Sequence, residues 1–147
     1  MQIKELAVRS EEEPYFYAPS LGGNIYIVDE MYRYDNIPFI FLAVNEQDDL
    51  YIFNLATVKK KDYVEYVVFK ITLKEILRAN TLDTTALDIM KDKSICIYMI
   101  DKGGEEVLLN YTLDTIPKDY LPRENTHFSF NMDKIRMLYA RYMPNKE

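Results

Sequence analysis

The stretch Ile37–Leu55, IPFIFLAVNEQDDLYIFNL, constrains this chain more than any other. Two apolar runs, Pro38–Val44 and Leu50–Leu55, flank the polar residues Asn45-Glu46-Gln47-Asp48-Asp49. Short runs rich in Phe, Ile, Val and Tyr, joined by a polar loop, read as a β-hairpin. The first run is apolar at nearly every position, which predicts a central strand covered on both faces.

The rest of the chain supplies partners for that hairpin. Asn24–Tyr34 reads as a strand, with Tyr26, Val28, Tyr32 and Tyr34 on one face and Ile25, Ile27 and Met31 on the other. Asp29 and Glu30 interrupt both faces, so a bulge or an edge position is expected there. Tyr63–Ile71 alternates Val64, Tyr66 and Val68 against Tyr63, Val67, Phe69 and Ile71, with Glu65 among the second set. Ser94–Asp101 and Glu106–Thr112 form a last hairpin around Gly103-Gly104, glycines being suited to the positive φ of tight loops. In its second strand Val107, Leu109 and Tyr111 are expected to face inward, and Glu106 and Asn110 outward.

Three helices have start signals. Thr72-Leu73-Lys74-Glu75 is a capping box, with hydroxyl and carboxylate each satisfying the other residue's backbone N–H. That helix should run to about Arg78, with Leu73, Ile76 and Leu77 inward. Asp83-Thr84-Thr85 caps a second short helix carrying Ala86, Leu87, Ile89 and Met90. Asn131 caps a third, with Asp133 in the first turn, where a carboxylate suits the helix dipole. Its apolar stripe is Met132, Ile135, Leu138, Tyr139 and Tyr142, and Lys134, Arg136 and Arg141 form the wet side.

These elements predict an α+β fold. An antiparallel sheet of about six strands, a meander plus a hairpin, carries two short central helices and a C-terminal helix. The C-terminal helix and the aromatic segment Pro14–Tyr17 are the candidates to cover its two faces. The 147 residues read as a single domain, 1–147, with residues 1–13 as a flexible arm around Glu11-Glu12-Glu13.

Charge narrows the partners. The net charge is −6, and residues 1–50 carry three Lys/Arg against ten Asp/Glu. That disfavours phosphate-backbone binding, which is built on Lys and Arg, and suits a basic protein patch. Lys59-Lys60-Lys61 reads as a solvated basic turn. No apolar run is long enough for a signal peptide or a membrane span, and a lone Cys96 among isoleucines reads as a buried core thiol. A reducing, cytoplasmic location is expected.

A search for chemistry is negative. The single His127 cannot make a His-rich metal site, and no nucleophile elbow accompanies it. Gly22-Gly23 and Gly103-Gly104 lack a phosphate-cradle pattern. Glu46, Asp48 and Asp49 share a loop but do not follow calcium-loop spacing. No catalytic residue, metal or cofactor is expected. The candidate binding residues are aromatic: Tyr15, Phe16, Tyr17, Tyr32 and Tyr34. They would line a shared groove if the N-terminal segment packs on the first long strand, and such clusters suit protein hot spots.

Several patterns resemble an uncharacterised family of small bacterial proteins. They are Pro14-Tyr15-Phe16-Tyr17, Leu50-Tyr51-Ile52, the capped segment Thr72–Arg78, Leu82–Ile89, and above all Ile116-Pro117-Lys118-Asp119-Tyr120-Leu121-Pro122, an IP-x-x-YLP turn. The resemblance implies a bacterial or phage cytoplasmic protein and carries over no functional residue. The basic turn at Lys59–Lys61 departs from its pattern. The expected function is a non-enzymatic, acidic protein-interaction module in a phage, defence or inhibitor setting. A homodimer through the strand after Gly104 is one form of it. The alternative is a small-ligand or nucleotide-binding domain with a Tyr-lined pocket.

Overall fold

A computed structural model describes residues 14–34, 37–57, 63–81, 83–101 and 103–142. The expected arm at 1–13, the turn at 35–36, the basic turn at 59–61 and the side chains of Tyr34, Tyr139, Arg141 and Tyr142 lie outside the described residues. The strands are β1 (Phe16–Ala18), β2 (Gly23–Tyr34), β3 (Ile37–Val44), β4 (Leu50–Thr57), β5 (Tyr63–Lys70), β6 (Ile95–Asp101) and β7 (Glu106–Tyr111). They follow chain order across one antiparallel sheet, which curls into a half-barrel. There are therefore seven strands among the described residues, not six. The added one is β1, whose three residues are too few to show a period.

β1 turns back onto β2 through a 3-10 turn, Pro19–Leu21, and two glycines with φ of 96° and 105°. A side chain at Gly22 would run into the Asn45 amide. That amide donates to the Leu21 carbonyl at 2.8 Å, while its oxygen accepts from the N–H groups of Gln47 and Asp49. Asn45 is fully buried, so the polar β3–β4 loop is a dock for the first turn. Glu46 serves the same joint, accepting from the Asn24 N–H at 2.6 Å.

β2 slips register between Ile27 and Asp29 and again between Glu30 and Tyr32. The expected bulge is present, and it changes the faces. Met31 packs with Tyr26 and Val28 instead of with Ile25 and Ile27, because each bulge inserts a residue and reverses the alternation.

Helices α1 (Leu73–Ala79), α2 (Ala86–Met90) and α3 (Met132–Tyr142) pack on one face. Both short helices open with complete capping boxes, Thr72 with Glu75 and Thr85 with Asp88. The Asn131 carbonyl oxygen of the side chain caps α3, accepting from Asp133 and Lys134 N–H groups. The Asn131 N–H donates to the buried Asp29 at 2.7 Å, which fixes α3 over the β2 bulge. α1 buries Leu73, Ile76 and Ala79, and Leu77 is exposed, contrary to expectation. It lies about 100° around the helix from Ile76, beyond the packed stripe. Ile135 and Leu138 are buried on α3, whereas Met132 is exposed.

The helix-side core is mostly aliphatic, joining Leu42, Ile52, Val67 and Ile97 to Ile76, Ile89 and Leu138, with Phe69, Phe128 and Phe130 in contact among them. The concave core is aromatic: Phe41, Phe53, Tyr66 and Tyr98, covered by Tyr15 and Phe16. The C-terminal helix and the aromatic N-terminal segment thus cover opposite faces. β7 is the exception. Val107 and Leu109 are 44% and 45% exposed, not inward, because β7 is the last strand and lies beyond the helices.

Candidate functional site

The concave face is built by alternation. β3 contributes Phe41, β4 Phe53, β5 Tyr66 and β6 Tyr98, all pointing the same way across the register Phe41↔Phe53↔Val68↔Cys96. Phe41 and Phe53 stack with centroids 4.9 Å apart, and the Tyr66 ring stands edge-on to both at 5.5 Å. Phe16 crosses over from β1 to stack on Tyr98 at 6.0 Å and meet Phe53 edge-on. The Tyr15 and Tyr66 hydroxyls share a hydrogen bond of 2.8 Å. Such offset and edge-to-face pairs add to simple burial.

One carboxylate joins the two ends of the curl. Glu106, expected to point outward, turns into the concave side. It accepts from the Tyr98 hydroxyl at 2.6 Å, from the Ser20 hydroxyl at 2.8 Å and from the Ser20 N–H at 3.2 Å. The 3-10 turn after β1 is thereby clasped to β7, 86 residues away. Burial opposes ionisation of Glu106, but the bonds from Tyr98 and Ser20 outweigh it and hold its carboxyl below the usual range.

Beside the clasp a groove of about 340 Å³ runs between the 3-10 turn and β7. Leu21, Tyr51, Cys96, Leu108 and Asn110 line it, with Lys93 at one end. Lys93 is paired with Glu75 at 2.7 Å. Burial, then the nearby Asp49, pushes the Tyr51 hydroxyl up to about 12, and burial pushes the Cys96 thiol up to about 11. Neither is ionised at neutral pH, so the groove offers hydrogen-bond donors and apolar surface, not a nucleophile. Cys96 is buried as expected.

The outer edge of β7 pairs with no backbone group among the described residues. It is a six-residue edge with apolar side chains on both faces: exposed Val107 and Leu109 on one, Leu108 over the groove on the other.

The five candidate aromatic residues do not share one groove. Tyr15 and Phe16 enter the concave core, their rings 5.0 Å apart. Tyr17 is 59% exposed. Tyr32 is also exposed, and stands opposite Ile40, which packs on the helix-side core. Tyr34 pairs through its backbone with Ile37. Sequence reasoning missed Ser20, Tyr66, Tyr98 and Glu106, because nothing local marks a clasp closed by distant strands.

The remaining candidates are structural. His127 Nδ1 meets the Thr84 carbonyl at 2.8 Å, tying the last crossing to the start of α2. Among the described residues no cluster of His, Cys, Asp and Glu could hold a metal, and no helix is long and apolar enough to cross a membrane. No protein-family model matches the chain, and no curated protein or solved structure matches it. The fold and site define an α+β protein with a curled sheet, an aromatic concave core and a β7 edge that pairs with no backbone group among the described residues.

Proposed function

We propose that this chain is a non-enzymatic protein-interaction module that takes up an extended segment of a protein partner along β7. The unpaired edge of β7, apolar on both faces, carries the reading. An open edge offers backbone hydrogen bonds for affinity, and the side chains beside it select the sequence that adds. An added strand would lay alternate residues against Val107 and Leu109 outside and against the groove at Leu108 and Tyr51 inside. The net charge of −6 favours a basic partner. A second copy of the chain, pairing β7 with β7, is one form of the same interaction.

A photo-crosslinking residue placed at Val107 or Leu109 tests this in the producing cell. Crosslinked adducts are expected at both positions and not at Arg136, an exposed position on α3. Adducts of equal yield at all three positions, or none at β7, would remove the proposal. The alternative, a small ligand in the Tyr51 groove, is favoured by one observation: Tyr51 lines a groove of about 340 Å³ together with Leu21 and Leu108. Thermal stabilisation by a small molecule, lost in Tyr51→Phe, would favour that reading, because a ligand of the native state raises Tm by mass action.

A further inference from the structure

A second groove lies on the other face, under the IP-x-x-YLP turn. The turn is pinned at two points. Ile116 is buried in the helix-side core, and the Tyr120 hydroxyl donates to the buried Glu65 carboxylate at 2.9 Å. Past that pin the turn stands off the sheet, leaving a space of about 420 Å³. Phe39, Leu55, Val67, Leu121 and Pro122 give it apolar walls, and Asp119 and Arg123 of the turn also border it. A space of that size is ample for a small organic molecule and far larger than a single water needs.

Asn54 is out of place in these walls. It lies on β4 between Ile40 and Val67, both apolar and both packed on the helix-side core. Its Oδ1 is buried and has no hydrogen-bond partner among the described residues. Most buried polar atoms are paired, and an unpaired one costs its full desolvation. A leucine would fill the position without that cost. The residue is only half-buried, and the terminal torsion of an asparagine is soft, so the amide can turn toward the groove.

We propose that this groove binds a small, largely apolar molecule that donates a single N–H or O–H hydrogen bond to Asn54 Oδ1. A heteroaromatic N–H of indole type has that chemistry: an apolar ring for the walls and one donor for the orphan oxygen. The site is independent of the β7 edge and stands or falls apart from it.

The test compares indole with 1-methylindole, which keeps the ring and lacks the donor. The chain has no Trp, so the fluorescence of the probe reports binding directly. Indole is expected to bind saturably and at least about tenfold more tightly than 1-methylindole, the factor for one lost buried hydrogen bond. In Asn54→Leu the preference should vanish, and in Asn54→Asp, which keeps the acceptor, it should persist. Equal affinities for the two probes in the wild-type protein, no saturable binding of indole, or a preference that survives Asn54→Leu would each overturn the proposal. The wild-type ratio is decisive even if a variant fails to fold.

Discussion

The two faces of the sheet are closed by opposite means. On the helix side, three helices lay aliphatic side chains over Leu42, Ile52, Val67 and Ile97. Each helix carries its own caps. On the concave side no helix takes part among the described core residues. Aromatic rings fill the space, and the cover is a three-residue strand, a glycine turn and one carboxylate. The helix side is held mostly by aliphatic contacts, which tolerate exchange of similar shapes, with the Asn131–Asp29 and Tyr120–Glu65 bonds added to them. The concave side depends on a few directional bonds between distant residues, so single changes there should act locally and sharply.

Removing α3 tests the first half of the comparison and should have the largest effect. A chain ending at Phe130 loses Ile135 and Leu138 from the core and strips the buried Asp29 of the Asn131 N–H. The expected result is loss of the cooperative unfolding transition and aggregation, read by calorimetry and light scattering. A truncated chain that stayed monomeric and unfolded cooperatively would show that α1 and α2 suffice to cover that face.

Gly22→Ala tests the second half. The position has φ of 96° and faces the buried Asn45 amide, so a methyl group meets both strain and a fixed neighbour. The cost should be about 2 kcal/mol, within the range for strained left-handed positions. It should also be local. Amide exchange is expected to quicken in β1 and at Ser20 while α1 and α2 keep their protection. Uniform acceleration across both faces would mean that the two covers are coupled, and the comparison would fail.

The same contrast explains what could be read in advance. The helix side was legible from short-range pattern: Thr72 with Glu75 and Asn131 with Asp133 are neighbours, and their hydrogen bonds form within one turn. The strand around Phe41 was legible as a central one because it is apolar on both faces. β1, the docking role of Asn45 and the Glu106 clasp were not, since each depends on segments brought together only by the curl. Val107 and Leu109 looked like inward residues because alternation tells which side chains share a face, not whether anything lies over it. Among the aromatic candidates, proximity in sequence was the misleading signal. Tyr17 leaves the cluster because alternation turns it to the face opposite Phe16, and Tyr32 because it lies across from Ile40 on the helix side, the two register shifts before it cancelling.

The smallest predicted effect, and the one specific to the clasp, is a pH dependence. Bonds from Tyr98 and Ser20 overcome the burial penalty and lower the Glu106 carboxyl in the folded state. The unfolded chain therefore binds the proton first as pH falls. The stability Glu106 contributes is fully present above the unfolded carboxylate value of about 4.3, and it is lost as pH drops through the lower folded value. Glu106→Gln removes the charge while keeping one acceptor, so it should cost about 1 kcal/mol at neutral pH. The gap between variant and wild type should close in acid. Glu75, on the helix side, is lowered as well: burial opposes its ionisation, and Lys93 with Thr72 outweighs it. Glu75→Gln should therefore narrow its gap over a similar acidic range, but its exchange signature should lie in α1. If Glu106→Gln instead left the Ser20 and β1 amides as protected as in the wild type, the clasp would be dispensable, and the aromatic stack of Phe16 on Tyr98 would be what keeps the half-barrel curled.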